Sequence, residues 1–253
     1  MTRTLDGKVA IVTGGSHSIG RAFCEALARE GAQIVIADIR DGAKAAAEIA
    51  KAHNVQAHFE PTDVSREADA EKLATAVKAK FGRADILVNN AALFAELPKV
   101  GFREIPVETF DRVMAVNVRG PFLMAKHIAP LMIAQGRGKI INISSGTAYK
   151  GQLNMAAYVT SKAALLGLTR SLARELGPHH VNVNTIAPGF TESESVLDHP
   201  HQLANTEQTV KGRAMPRKQL PDDLVGALVF LASPASEFVT GQTLAVDGGS
   251  VML

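Results

Sequence analysis

The run Val9-Ala10-Ile11-Val12 leads through Thr13 into Gly14-Gly15-Ser16-His17-Ser18-Ile19-Gly20, after which residues 21–30 carry helical apolar spacing. A short apolar run, a glycine-rich turn and an amphipathic segment constrain the chain to open as strand, tight turn, helix. The alternation continues: residues 33–37, 55–61, 85–88, 139–143, 181–186 and 243–246 read as further strands. Helix-patterned segments separate them, among them 120–135, 163–176 and 220–232. Residues 110–117 are also helical in pattern, and Asn117-Val118-Arg119-Gly120-Pro121 reads as a break forced by Pro121 rather than as a kink. Strand and helix alternate without a shift in composition, so residues 1–253 are expected to form one α/β domain with no linker.

Glycine permits turn conformations closed to other residues, and a helix N-terminus offers unpaired N–H groups to a diphosphate. Packing alone can also demand glycine, so the turn by itself leaves both readings open. Asp38 ends the second strand about 20 residues further on, where a carboxylate can bind an adenosine ribose. That completes the dinucleotide fingerprint. A carboxylate there also repels a ribose 2′-phosphate, which favours NAD over NADP despite Arg40 nearby; His17 is the one residue of the turn that argues the other way. Asp63, past the third strand, either meets an adenine or caps the helix that starts near Arg66. The small residues of Asn89-Asn90-Ala91-Ala92 let the backbone pass close to a bound cofactor.

Tyr158 and Lys162 are four residues apart at the start of a helical pattern, so their side chains share one face. A lone pair of this kind is ordinarily a surface feature. Beside a phenol, however, an ammonium favours the phenolate, which makes Tyr158 a candidate acid or base and Lys162 its activator. Ser144 and Ser145 are delivered at the end of the fifth strand.

Charged residues make up 21% of the chain and the net charge is +2, with no basic block, so nucleic acid is not an expected partner. No apolar run approaches the roughly 18 residues that span a bilayer, and the N-terminus lacks a signal-peptide core, so no membrane partner is expected and the expected location is the cytoplasm. The one cysteine, Cys24, sits in a helical pattern as packing, and His179, His180, His199 and His201 have no metal-site spacing; no metal is expected. Residues 190–218 are polar and irregular, and are expected to form a mobile lid over substrate, with Val196, Leu197, Leu203, Val210 and Met215 turned inward and Asp198, His199, His201 and Lys211 in water or on a polar substrate end. Leu93, Phe94, Leu97, Gln152, Leu153 and Met155 are further pocket candidates, and their apolar character favours a substrate with a hydrophobic or aromatic body over a sugar.

Taken together, the Gly14 to Gly20 turn, Asn89-Asn90-Ala91, Asn117, Ser145 thirteen residues before Tyr158, Lys162 and Pro188-Gly189 resemble the short-chain dehydrogenase/reductase family along nearly the whole chain. The resemblance implies a doubly wound Rossmann-type domain, a seven-stranded parallel sheet with helices on both faces. It implies an NAD-dependent oxidoreductase interconverting a secondary alcohol and a ketone. In that mechanism Tyr158 exchanges the proton, Ser145 orients the substrate oxygen, Lys162 tunes the tyrosine and holds the nicotinamide ribose, and Asn117 holds a relay water. Carried over by position, cofactor binding falls to Gly14, Ser16, Ser18, Ile19 and Gly20; to Asp38, Ile39, Asp63 and Val64; to Asn90 and Ala91; to Tyr158 and Lys162; and to Pro188, Gly189, Thr191 and Ser193. Ser18 stands where the family usually has its middle glycine, Ala92 where it has glycine, and Ser193 where it often has threonine. The family is commonly tetrameric, so a homotetramer is expected, with a small-molecule alcohol or ketone as the other partner. The competing class is a catalytically silent NAD-binding scaffold, against which the intact Asn117, Ser145, Tyr158 and Lys162 set argues.

Overall fold

The computed structural model describes residues 3–252. Seven strands build one parallel sheet: β1 (Val9–Thr13), β2 (Gln33–Asp38), β3 (Ala57–Pro61), β4 (Ile86–Asn89), β5 (Gly138–Ile143), β6 (Val181–Pro188) and β7 (Thr243–Val246). Their order across the sheet is β3-β2-β1-β4-β5-β6-β7, every pairing parallel. The helices are α1 (Ser18–Arg29), α2 (Ala43–His53), α3 (Glu67–Phe81), α4 (Val107–Met114), α5 (Gly120–Ala134), α6 (Thr147–Lys150), α7 (Ala156–Leu176), α8 (Glu194–Leu197), α9 (Thr206–Lys211) and α10 (Asp222–Ala232).

Successive side chains along β1 point to opposite faces. Ala10 and Val12, with Ile34 and Ile36 of β2, pack against Phe23 and Leu27 of α1, Ile49 of α2 and Leu228 of α10. Val9 and Ile11, with Val35, pack against Leu73 and Val77 of α3 and Met124 and Ile128 of α5. Both faces of the sheet are therefore covered, which is why the central strands are apolar throughout. β1 pairs with β2 on one side and β4 on the other, with Val12 opposite both Ile36 and Val88. The strand order reverses there, and such a switch point opens a crevice outside the carboxyl ends of the strands.

Two expectations are corrected. No break precedes α5: α4 runs into it through a π-helical turn, Ala115–Arg119. Pro121 has no N–H to give the Asn117 carbonyl four residues back, and the ladder widens there instead of ending. Residues 190–218 are not irregular either, since they hold α8, a 3₁₀ turn (Pro200–Asn205) and α9. Their neck is pinched: Thr191 bridges Gln219, Glu192 N–H donates to Gln219 O at 2.8 Å, and Arg213 donates to the carbonyls of Phe190 at 2.6 Å and Arg217 at 2.7 Å. Cys24 is buried packing, and burial pushes its thiol up. No described helix is long and apolar enough to cross a membrane, and among the described residues no group of three or more His, Cys, Asp or Glu is placed to hold a metal ion.

Candidate active site

A cleft of about 440 Å³, within the range of small-molecule sites, runs along the carboxyl ends of the strands. One end is built by the β1–α1 turn. Gly14 has φ +65°, and a Cβ on Gly20 would lie 1.9 Å from Gly14 O, so the turn closes only with glycine at position 20. Ser18 has φ 56°, in the left-handed region that favours glycine, so a serine at this position carries backbone strain of about 1 kcal/mol. α1 begins without a side-chain cap and without an acidic residue in its first turn. The N–H groups of Ile19 and Gly20 have no acceptor among the described residues, and Ser18 N–H reaches only Glu194 Oε2, at 3.4 Å. That turn borders the cleft as an uncapped, anion-attracting helix end.

Asp38, 5% exposed, stands beside it. Its Oδ2 accepts from both Ser16 N–H and Ser16 Oγ, and its Oδ1 from Arg40 N–H at 3.0 Å. Ser16 therefore orients Asp38 and does not itself border the cleft, whereas Ile39, Asp63 and Val64 do. Asp63 accepts from Ser65 N–H and Oγ, and α3, whose N-cap is Arg66, begins without a side-chain cap, which removes the capping reading. Asn90 and Ala91 also border the cleft. The Asn90 amide donates to Thr13 O at 2.9 Å and Gly14 O at 3.2 Å, stapling the end of β4 to the glycine turn.

At the other end β5 delivers Ser145, and the first turns of α7 deliver Tyr158 and Lys162, all three bordering the cleft. Lys162 Nζ donates to Ile143 O at 2.7 Å and lies 5.7 Å from the Tyr158 ring centroid; Ser144 Oγ donates to Lys162 O at 2.7 Å, locking α7 to β5. The Phe94 ring packs on Tyr158 with centroids 4.8 Å apart. Burial pushes the Tyr158 phenol up to about 12, against the lowering effect of its hydrogen bond with Ser145, and burial pushes Lys162 down to about 7. The lysine was expected to lower the tyrosine. In the protein alone burial of the phenol dominates, and burial likewise disfavours the charge on the lysine that would favour the phenolate.

Asn117, 1% exposed in the π turn, does not border the cleft. Its Oδ1 accepts from Leu93 N–H at 2.8 Å, and its Nδ2 donates to Leu93 O at 3.1 Å and Ser161 Oγ at 3.0 Å. The side chain is thus spent on fixing the loop after β4 to α7. Pro188, Gly189, Thr191 and Ser193 border the cleft as expected. A Cβ on Gly189 would meet Gln219 Oε1 at 2.7 Å and Asp247 Cβ at 2.9 Å, so close packing requires the glycine.

Of the expected substrate contacts, Leu93, Phe94, Gln152, Met155 and Val196 line the cleft. Leu153, Leu197 and Met215 are 82%, 55% and 58% exposed, and Leu97, Leu203 and Val210 form no part of the wall. Thr147 and Lys150 line the cleft without having been expected there; Gln202 and His199, the latter expected in water or on a polar substrate end, line it too. Thr147, whose N–H and Oγ both donate to Ser145 Oγ, was within reach of inspection because it lies two residues beyond Ser145. His199 and Gln202 depend on the path of residues 190–218. The wall is accordingly more polar than expected.

A family model described as "Enoyl-(Acyl carrier protein) reductase" matches residues 14–251. The chain is 40% identical over 260 residues to sorbitol dehydrogenase of Cereibacter sphaeroides, covering 98% of this chain and 99% of that one. It is 40% identical over 266 residues to galactitol 2-dehydrogenase of Agrobacterium fabrum, covering 98% and 99%. Among solved structures, 3-ketoacyl-(acyl-carrier-protein) reductase from Brucella melitensis complexed with NADH superposes with a TM-score of 0.88 at 32% identity, covering 98% of this chain and 100% of that one. A blue fluorescent protein from a metagenomic library, in complex with NADPH, gives 0.89 at 33%, covering 98% and 100%. With this likeness running the full length of the fold, the chain belongs to the short-chain dehydrogenase/reductase family.

Proposed function

We propose that the protein is an NAD-dependent oxidoreductase that interconverts a secondary alcohol, foremost a small polyol, and the corresponding ketone. The observation that carries this reading is the convergence of Ser145, Tyr158 and Lys162 at one end of a cleft whose other end is the uncapped first turn of α1. The fit to a dinucleotide rests on that turn, whose free N–H groups suit a diphosphate, and on Asp38, whose carboxylate suits a ribose diol and disfavours a 2′-phosphate. When bound, the nicotinamide supplies the hydride acceptor or donor. Ser145 hydrogen-bonds the substrate oxygen, and Tyr158 takes the hydroxyl proton in oxidation or returns it in reduction. Lys162, at about 7, exchanges its own proton in the working range, and in its charged form favours the phenolate. A relay water held by Asn117 would fall to its main chain, since the side chain is already occupied by Leu93 and Ser161.

The polyol reading is supported by the polar side chains Gln152, Lys150 and His199, which line the cleft among its apolar residues, and by the sorbitol and galactitol dehydrogenase relatives. It replaces the hydrophobic body that the sequence suggested. A panel of polyols, sugar acids and hydrophobic secondary alcohols, followed by NADH formation, tests it. Polyols should give the highest kcat/KM, NAD should exceed NADP, and Asp38→Ala should narrow that margin about tenfold or more. Cofactor binding without turnover on any member would favour the silent scaffold, and a wild type preferring NADP would refute the role of Asp38.

A further inference from the structure

Ser145 has a partner that the proposed reaction leaves unexplained. Thr147 opens α6 two residues after Ser145, and two of its groups converge on one atom: Thr147 N–H donates to Ser145 Oγ at 3.2 Å and Thr147 Oγ at 3.0 Å. A hydroxyl oxygen has two lone pairs and one proton. With both lone pairs directed at Thr147, the proton is what Ser145 has left to offer. Ser145 is 8% exposed and lies at the rigid end of β5, where Gly146 N–H is tied to Pro188 O at 2.8 Å, so backbone movement does not relax this arrangement.

We propose that Thr147 is a positioning residue that holds the Ser145 hydroxyl as a donor, so that the substrate oxygen can only accept from Ser145 and must exchange its own proton with Tyr158. This inference rests on the alcohol–ketone reading. In oxidation the substrate O–H bond breaks toward Tyr158 Oη while the C–H hydride leaves to the nicotinamide. Negative charge grows on the substrate oxygen as the proton departs, and a hydroxyl fixed as a donor is strongest at that moment. The chain Thr147 to Ser145 to substrate oxygen is polarised in one sense, so each bond strengthens the next. A serine free to rotate would instead accept the alcohol proton in part of the population, presenting the oxygen to Tyr158 without its proton directed there.

A double-mutant cycle tests this on the intact protein. Thr147→Val keeps the shape and the main-chain N–H but removes the hydroxyl. It should lower kcat for alcohol oxidation about tenfold, with KM changed less than about twofold, and Thr147→Ser should restore most of the rate. In a Ser145→Ala background Thr147→Val should cost little more, because the residue it acts through is gone. Equal losses in both backgrounds would assign Thr147 a general structural role and overturn the inference, as would a Thr147→Val protein with wild-type kcat. An active wild type matched by Thr147→Val overturns this inference alone, whereas a wild type inert on every alcohol and ketone overturns the reaction and this inference with it.

Discussion

Lys162 is where function and stability part. It is 3% exposed, and no carboxylate partner compensates it among the described residues; its Nζ is held by a main-chain carbonyl. An unfolded lysine titrates near 10.5 and the folded one near 7. Between those values the unfolded chain binds more protons, so stability rises with pH across that window, and at and below about pH 7 the penalty is fully present. Lys162→Met should therefore raise the Tm at pH 6.5 by roughly 3 °C or more while removing most activity, with the gain fading by pH 10. Thermal melts across that range check it, and a gain independent of pH would assign the effect to packing instead. Such residues also mark what could be read from the sequence. The four-residue spacing of Tyr158 and Lys162 was enough to find the pair, because helical geometry is local. The direction of their pKa shifts was not, because desolvation depends on Phe94 and on the end of β5, brought in from far along the chain.

At the level of elements, the strands were legible because covered sheet faces leave short, largely apolar runs bounded by turn residues, so all seven could be bounded within about two residues. The π turn was not legible. Pro121 normally argues for a helix end, and what carries the helix through is tertiary: Asn117 is gripped by Leu93 and Ser161 from two other segments. The same limit applies to residues 190–218, whose composition suggested a loose loop and whose pinched neck holds them at Gln219 and Arg213. We propose that the segment acts as a lid whose moving part is confined to residues 194–211. Hydrogen exchange should show amides 191–193 and 213–219 protected without ligand, and those of 194–211 gaining protection when NAD and a substrate analogue bind together. Slow exchange throughout before binding would contradict a lid, and uniform fast exchange would contradict the neck.

For the whole molecule, β7 is an edge strand. Leu244 on it and Phe230 on α10 are partly exposed, and Phe238 between them in sequence is fully so. An edge strand flanked by apolar side chains is a site of pairing. We propose that two copies meet there and that a second contact over α4 and α5 completes a closed tetramer, in keeping with the expectation from the family. Light scattering at micromolar concentration should give four times the 26.8 kDa chain mass, and Phe238→Asp with Phe230→Asp should reduce it to a dimer. A wild-type monomer would contradict the assembly without touching the chemistry.

The proposed chemistry rests on Tyr158, and its most direct test is a single-turnover experiment with Tyr158→Phe, excess enzyme and saturating NAD on whichever alcohol the wild type oxidises best. Removal of one hydroxyl leaves the ring against Phe94 and Lys162 on Ile143, so the cleft persists and NAD should bind within about threefold of wild type. NADH formation in that turnover should fall by about a thousandfold or more, since the proton then has no acceptor. A Tyr158→Phe protein that forms NADH at the wild-type rate would show that the alcohol proton leaves by another route and would contradict the account.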